Sequence, residues 1–209
     1  MMNRKAPYII TCLIFFFSSY FFGQELKKNS VKLSGYEKRW ALLHPMAAIK
    51  TKRISNRCYV IYNQTVLDGH ANGGRLDAFR HIFFMAALAQ KVSVKKLRKL
   101  GFAHEKANYR HFLKTEFENG ELPDSLSSIM DLQNNELGFR LGLENKEIDL
   151  NELAMKAKLE IQVGKAVIIK RNLSGLYLDC NDRPISLNNY LKIWNIPKCL
   201  APSDYNYHD

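Results

Sequence analysis

Three stretches of this sequence combine the apolar periodicity of a buried helix with polar and charged side chains. They are LDAFRHIFFMAALAQ, LRKLGFAHEKAN and SSIMDLQNNELG, which begin at residues 76, 97 and 127. A helix that packs against a core normally excludes such groups, because burying a polar group without a partner is costly. Since all three stretches carry them, we expect the three helices to pack around one shared polar site.

Helical patterns account for most of the chain. One helix is predicted over residues 75–91, a second can be capped by Ser93, a third is opened by Pro123 and Asp124, and a fourth ends near Gly164. Further on, AVIIKR and GLYLDCNDRPI have the composition of strands around turn residues. The predicted fold class is mainly α, a helical bundle-like domain with a minor β-hairpin near the C-terminus.

The first 23 residues predict a signal peptide. Arg4 and Lys5 precede the apolar run IITCLIFFFSSYFF, which is short for a membrane span. Phe21 stands where a small residue usually precedes the cleavage site, so an uncleaved N-terminal anchor is the alternative. The chain is therefore predicted to be exported, either periplasmic or secreted, or membrane-anchored. The remaining predicted segments are a polar lead-in at 24–35, a single helical domain at 36–200 with its motif core at 68–145, and a flexible tail at 201–209.

Three cysteines follow the predicted signal. Cys180 and Cys199 flank a compact C-terminal segment and are the predicted disulfide, since export permits disulfides. Cys58 is then a small buried residue or a free thiol. The sequence has no C-x-x-C pattern, which excludes a zinc finger, and no nucleophile elbow, H-E-x-x-H, phosphate-binding loop, dinucleotide-binding or EF-hand pattern.

The chain carries a formal net charge of +11. Its basic residues are spread along the sequence rather than interleaved with aromatic residues that could stack on bases, which argues against nucleic acid as the partner. Outside the cytoplasm, the charge suits anionic envelope components or lipid headgroups. The simpler interpretation is a solvated basic face.

The first polar group is Asp77, Arg80 and His81. Asp77 and His81 are four residues apart and share one helix face. A carboxylate beside a histidine fixes the tautomer of the ring and makes its other nitrogen a better base or metal ligand. Arg80 can bind an anionic oxygen or pair with Asp131 or Glu105. The alternative is structural: the Asp77 carboxylate lies near the start of the helix and stabilises it by interacting with the positive end of the helix dipole.

The second polar group is His104 and Glu105, and the third is Asp131, Asn134 and Asn135. His104 continues the apolar face of its helix and is predicted to point inward, whereas Glu105 diverges by about 100° and lies at the site edge, as a general base or an Arg80 partner. Asp131 and Asn135 share a face, and Asn134 lies beside them. Neighbouring asparagines are locally unfavourable in a helix, so tertiary contacts should hold them there.

Together these groups fit a hydrolytic site. The predicted catalytic residues are Arg80, His81, His104, Glu105, Asp131 and Asn135, and the predicted supporting residues are Asp77, Asn134 and Gly138. His81, His104 and Asp131 would hold a divalent metal such as zinc, or act as acids and bases without one. The substrate would be an envelope or lipid ester or amide. The alternative is a non-catalytic binding or structural module whose polar network organises the helices.

The motifs D-A-F-R-H, A-H-E and M-D-L-x-N-N-x-x-G occur in this order. They resemble those of an uncharacterised bacterial domain family that is often found in exported proteins. The resemblance spans about residues 68–145 and includes all nine predicted site residues. Gln133 departs from it, since many relatives have histidine or an aromatic residue there. The family has no established activity, so the resemblance implies a common grouping of these residues and leaves the chemistry open.

Overall fold

The structure, a computed structural model, describes residues 33–115 and 121–207. The helices are α1 Gly35–Leu43, α2 Pro45–Tyr62, α3 Arg75–Ala89, α4 Val94–Lys114, α5 Ser125–Glu144 and α6 Leu150–Gln162. Strands β1 Val167–Ile169 and β2 Leu200–Pro202 follow, with the short 3-10 helix Leu187–Tyr190 between them. The mainly α prediction is confirmed. Among the described helices, none has the length and apolar composition needed to cross a membrane. The predicted signal or anchor, and most of the lead-in, lie outside the described residues.

Local sequence signals explain where several helices begin. Asp124 caps α5, because its Oδ1 accepts hydrogen bonds from the backbone N–H groups of Leu126 and Ser127 at 2.9 and 3.1 Å. Ser34 and Glu37 form a capping box at the start of α1. Pro45 begins α2, where its missing N–H is tolerated. The proline thus separates two helices at a bend.

Helix α3 lies at the centre of the domain, and eleven of its fifteen residues are buried. Its closest neighbour is α5, which approaches through two glycines. A Cβ on Gly138 would lie 2.5 Å from the carbonyl oxygen of Ile82, and one on Gly142 would lie 2.1 Å from that of Ala86. Only glycine allows this approach, which sets the polar groups of the two helices against each other.

The C-terminal sheet differs from the expected hairpin. β1 pairs in antiparallel fashion with β2, with Ile168 opposite Ala201, although residues 170–199 separate the strands. The segment GLYLDCNDRPI forms only single bridges, such as Leu178 with Pro184. The predicted disulfide is present between Cys180 and Cys199, and Cys58 is a buried free thiol. The small sheet was thus predicted in the right region with the wrong second strand.

The last described residues are bonded to the start of α3. Arg75 donates to the backbone oxygens of Ser203 and Tyr205 at 2.7 and 2.6 Å. The Tyr207 hydroxyl donates to Asp68 at 2.7 Å, and Asp68 also accepts from the backbone of Arg75 at 2.6 Å. Ser203, Tyr205 and Tyr207 belong to the segment 201–209, which the sequence predicts as a flexible tail. Through these three residues the segment contacts Arg75 and Asp68.

Candidate functional site

Asp77 and His81 of α3 meet Asp131 of α5 in a buried group. One potential ligand atom from each residue lies within 4.8 Å of the other two. His81 Nε2 is 3.1 Å from Asp131 Oδ1 and 3.6 Å from Asp77 Oδ1. Ligand atoms around a tetrahedral zinc are separated by roughly 3.3–3.6 Å, given bond lengths of about 2.0–2.2 Å. These three residues could therefore hold a metal ion.

Asn135 sets the orientation of the His81 ring. Its Oδ1 lies 3.0 Å from His81 Nδ1 and is a carbonyl oxygen that can only accept, so Nδ1 carries the hydrogen. Nε2 then carries the lone pair and accepts a hydrogen bond from Arg80 Nη2 at 2.8 Å, with the two carboxylates beside it. Burial and the neighbouring Arg80 charge lower the pKa of His81 to about 3, which keeps the ring neutral at physiological pH. A neutral ring with a fixed tautomer suits a metal ligand or a base.

Arg80 supplies the positive charge beside these residues. Its Nη2 lies 2.6 Å from Asp77 Oδ1 and 2.8 Å from His81 Nε2. Burial alone would raise the pKa of Asp77, but the Arg80 charge and a hydrogen bond from the Gly73 N–H hold it below its usual value. The Arg80 side chain is 29% exposed, whereas that of Asp77 is 7% exposed. Asp77, predicted as a supporting residue, therefore lies in the centre of the site.

A small polar pocket opens beside the buried group. Its volume is about 50 Å³, and its lining includes Asp77, Arg80, His104, Glu121, Asp124 and Asp131. This space is large enough for an ion and a few water molecules but too small for a large organic ligand. Any larger substrate must present only its reacting group to the pocket.

His104 lies on the polar pocket, but outside the buried group. Its Nδ1 is 3.1 Å from Oε1 of Glu37, which α1 contributes. The predicted metal ligands were His81, His104 and Asp131; in the structure Asp77, which shares a helix face with His81, lies close to His81 and Asp131, and His104 lies outside this group. Glu37 was missed as a site residue. Its local signal is the capping box, which fixes the glutamate but does not reveal its contact with His104.

Two other predicted site residues have contacts that stabilise the fold. Asn134 donates to the backbone oxygen of Val167 and accepts from its N–H, at 2.8 and 2.9 Å, so its side chain pairs with β1 as a strand would. Glu105 is buried, and its Oε2 accepts from Asn108 Nδ2 at 3.2 Å. These contacts explain why polar residues are tolerated at both positions.

A second, largely buried cluster of polar and charged residues, the Tyr177 cluster, contributes two carboxylates to the lining of the polar pocket. Its members are Glu121, Asp124, Arg171, Tyr177 and Lys198. Lys198 Nζ is 2.7 Å from Asp124 Oδ2, and both side chains are 1% exposed. Arg171 and Lys198 each lie 3.8 Å from the centre of the Tyr177 ring. The Tyr177 hydroxyl donates to Glu121 and accepts from Arg171. The sequence interpretation missed this cluster, since nothing local marks its long-range partners.

An open groove of about 510 Å³ runs beside α4 and α5. Phe102, Ile129 and Leu132 contribute apolar surface, and Arg98 and Arg140 lie among its lining residues. Asn135 also lines this groove, so the residue that orients His81 faces a much larger cavity than the polar pocket.

Residues 38–165 match a family described as Domain of unknown function (DUF6973). The matched range contains the buried group, Arg80, His104 and Asn135. It ends before Arg171, Tyr177 and Lys198 of the Tyr177 cluster. No curated protein and no solved structure matches the chain.

Proposed function

The chain belongs to the DUF6973 family, and from that premise we propose that it binds a divalent cation and acts as a hydrolase. The observation that carries the proposal is the Asp77–His81–Asp131 group, in which two carboxylates and a neutral imidazole converge from two helices. A bound divalent cation at such a site polarises a carbonyl or phosphoryl oxygen and lowers the pKa of water.

The surroundings of the group support this assignment. A histidine that ligates a metal usually donates its other ring N–H to a carbonyl or carboxylate, and Asn135 accepts that hydrogen bond here. The glycine contacts between α3 and α5 hold the ligands from the two helices at a fixed spacing. Such preorganisation is what a metal site requires.

Arg80 has two roles in the proposed function. Without a metal, its guanidinium neutralises Asp77 and lies beside His81 Nε2. If Asp77, His81 and Asp131 held a divalent ion, that ion would supply the charge that Arg80 gives Asp77 here. Arg80, which lines the polar pocket, would then bind an anionic oxygen of the substrate, for which the guanidinium is well suited.

His104 and the groove suggest the substrate class. With Glu37 on its Nδ1, His104 can exchange a proton on the polar pocket as a general acid or base. The apolar groove beside Asn135 suits an acyl chain, so we favour an ester or amide of a lipid or of the cell envelope. The predicted signal segment and the disulfide support action outside the cytoplasm.

A structural module is the second candidate. The hydrogen bonds of Arg80 to Asp77 favour it, since they satisfy a buried carboxylate without any metal. The paired hydrogen bonds of Asn134 with Val167 likewise show that part of the polar set stabilises the fold. In this alternative the network fixes the register of α3 and α5.

Metal titration of Arg80→Gln separates the two candidates. The wild-type protein should bind one Zn²⁺ or Mn²⁺ by calorimetry, Asp131→Asn should abolish binding, and Arg80→Gln should bind at least tenfold more tightly because it removes the competing cation. Arg98→Gln, which removes an arginine from an exposed pair with Glu136, is the matched control and should leave metal affinity unchanged. The structural module is favoured if neither the wild type nor any variant binds metal and if Arg80→Gln only unfolds the protein.

A turnover assay then tests the hydrolase itself. The metal-loaded protein should cleave chromogenic acyl esters, and His104→Ala should slow cleavage while leaving metal affinity unchanged. If the protein binds metal but cleaves neither esters nor amides, the proposed cation site stands and the proposed hydrolase activity is wrong.

A further inference from the structure

We propose that the corner between α1 and α2 docks on an anionic lipid surface. Four large apolar side chains project into solvent there: Leu42, Leu43, Met46 and Ile49 are 82%, 66%, 69% and 64% exposed. Leu42 and Leu43 end α1, while Met46 and Ile49, three residues apart, share one face at the start of α2. We call these four residues the apolar corner.

Exposed basic residues precede and follow this apolar corner along α1 and α2. Residues 38–67 contain no aspartate or glutamate but include six cations: Lys38, Arg39, Lys50, Lys52, Arg53 and Arg57. All six are exposed. Apolar side chains flanked by lysine and arginine are the composition of helices that lie in the interface of an anionic bilayer. Part of the charge that is spread along the sequence therefore lies on the exposed surface of the two helices that carry the apolar corner.

The same charges argue against other occupants. Nucleic acid would satisfy the cations but would place phosphates against four exposed aliphatic side chains. A second copy of this chain, paired through the apolar corner by two-fold symmetry, would bring two sets of six cations together. An anionic lipid surface suits both the apolar corner and the neighbouring cations, because its headgroups attract the cations and its acyl chains bury the apolar side chains.

The corner is held firmly by the opposite faces of its helices. Trp40 is buried, and its Nε1 donates to the backbone oxygen of Lys96 in α4 at 2.8 Å. Ala47 is buried in the same hydrophobic cluster. The exposed residues lie outside this packing, so polar substitutions in the apolar corner should leave the fold intact.

Docking would bring the polar pocket close to lipid. Glu37, which contacts His104 on the pocket, precedes Leu42 by five residues of α1, a rise of about 8 Å. This consequence rests on the proposed function, whereas the docking surface itself does not.

Vesicle co-sedimentation tests the proposal with the chain from Gln24 onward. The compact unit Leu33–Asp209 contains all three hydrophobic clusters, so this chain retains the whole core. It should pellet with vesicles of phosphatidylglycerol and phosphatidylcholine, and at least tenfold less with phosphatidylcholine alone. Binding should also weaken as salt is raised.

Two triple variants and two matched controls identify the surface. Leu42→Gln with Met46→Gln and Ile49→Gln, or Lys50→Gln with Lys52→Gln and Arg53→Gln, should weaken vesicle binding at least tenfold. Met155→Gln with Leu159→Gln removes exposed apolar residues of α6, and Lys146→Gln with Lys165→Gln and Lys192→Gln removes the same charge elsewhere. Both controls should bind like wild type, and all variants should keep the wild-type melting temperature and zinc affinity.

Three results would overturn the proposal. The first is an equal loss of vesicle binding in the Lys146, Lys165 and Lys192 control, which would mean that net charge alone matters. The second is tight binding of a single-stranded RNA probe that the apolar triple variant leaves unchanged. The third is a dimer in sedimentation velocity that the apolar triple variant dissociates. Zinc titration of the same samples measures the proposed metal site independently. A sample that binds zinc but not vesicles contradicts lipid docking without contradicting the metal site.

Discussion

The polar pocket lies between two buried charged groups whose charges are organised differently. In the Tyr177 cluster, two cations, Arg171 and Lys198, oppose two carboxylates, Glu121 and Asp124. In the candidate site, two carboxylates face one guanidinium, because the His81 ring is neutral. In a cluster with equal numbers of cations and carboxylates, the attraction between the charges offsets the cost of removing them from water. In a cluster with an excess of carboxylates, binding an additional cation lowers the free energy. We therefore expect the first group to contribute stability and the second to bind a cation.

The position of each group in the chain supports this division. The candidate site lies wholly within the range that matches the family, on helices α3 and α5. The cations of the Tyr177 cluster lie beyond that range, and Lys198 precedes a disulfide-bonded cysteine. If the division is correct, changes in one group should alter stability alone, and changes in the other should alter cation binding.

Lys198→Met should give the largest loss of stability. It leaves the Asp124 carboxylate buried without its cation, which costs about 3–5 kcal/mol. Chemical denaturation followed by circular dichroism measures the loss. Adding Asp124→Asn should restore most of it, because asparagine removes the charge and still caps α5.

Lys165→Met is the matched control for this experiment. Lys165 pairs with Glu160 at 3.0 Å, but its side chain is 60% exposed, so its removal should cost less than about 1 kcal/mol. Equal losses for Lys198→Met and Lys165→Met would show that the Lys198–Asp124 pair contributes no more than a surface pair. The zinc affinity of Lys198→Met should equal that of the wild type.

Removing the disulfide should have the next largest effect. Cys180→Ser with Cys199→Ser opens a loop whose ends are 19 residues apart, and the lost constraint on the unfolded chain corresponds to about 3 kcal/mol. Thermal melting measures the change. Cys58→Ser, at the buried free thiol, shows the effect of a thiol substitution without loss of a bridge. A parallel fall in zinc affinity would mean that the two charged groups are one unit.

The success of the sequence interpretation depended on how local each signal was. Asp124 as a helix opener and the polar faces of α3 and α5 were predictable, because caps and helical periodicity involve residues within a few positions. The partner of His104 was not, since Glu37 lies 67 residues away. The partner of Asn134 was not predictable for the same reason: it is the backbone of β1, and backbone groups carry no sequence signal. The pairing of β1 with β2 depends on the same kind of long-range contact.

The acid stability of the protein tests a contact at the edge of the site. Burial alone would raise the pKa of Glu37, but hydrogen bonds from His104 and Ser34 lower it to about 2, from 4.5. Because the folded-state pKa is depressed, this stabilisation is present above pH 4.5 and is lost as the pH falls toward 2. The loss at pH 3 is about 2 kcal/mol relative to pH 7. Denaturation at a series of pH values measures the free energy of unfolding. In Glu37→Gln this free energy should not show the part of the acid-induced loss that protonation of Glu37 causes. Identical acid profiles for the two proteins would contradict the lowered pKa.

Asn135→Ala should have the smallest effect on stability and the most selective effect on the site. The variant removes the acceptor for His81 Nδ1–H and should cost about 1 kcal/mol, because one buried hydrogen bond is lost. With the ring no longer held in one tautomer, zinc affinity should fall about 10- to 100-fold, the usual effect of removing a partner of a metal-ligating histidine. Asn134→Ala is the matched control: it should destabilise the protein at least as much, since it loses two hydrogen bonds to Val167, but retain zinc affinity. Equal zinc affinities for the two variants would remove the distinction between an orienting asparagine and a stabilising one, and with it the central argument for a metal site on α3 and α5.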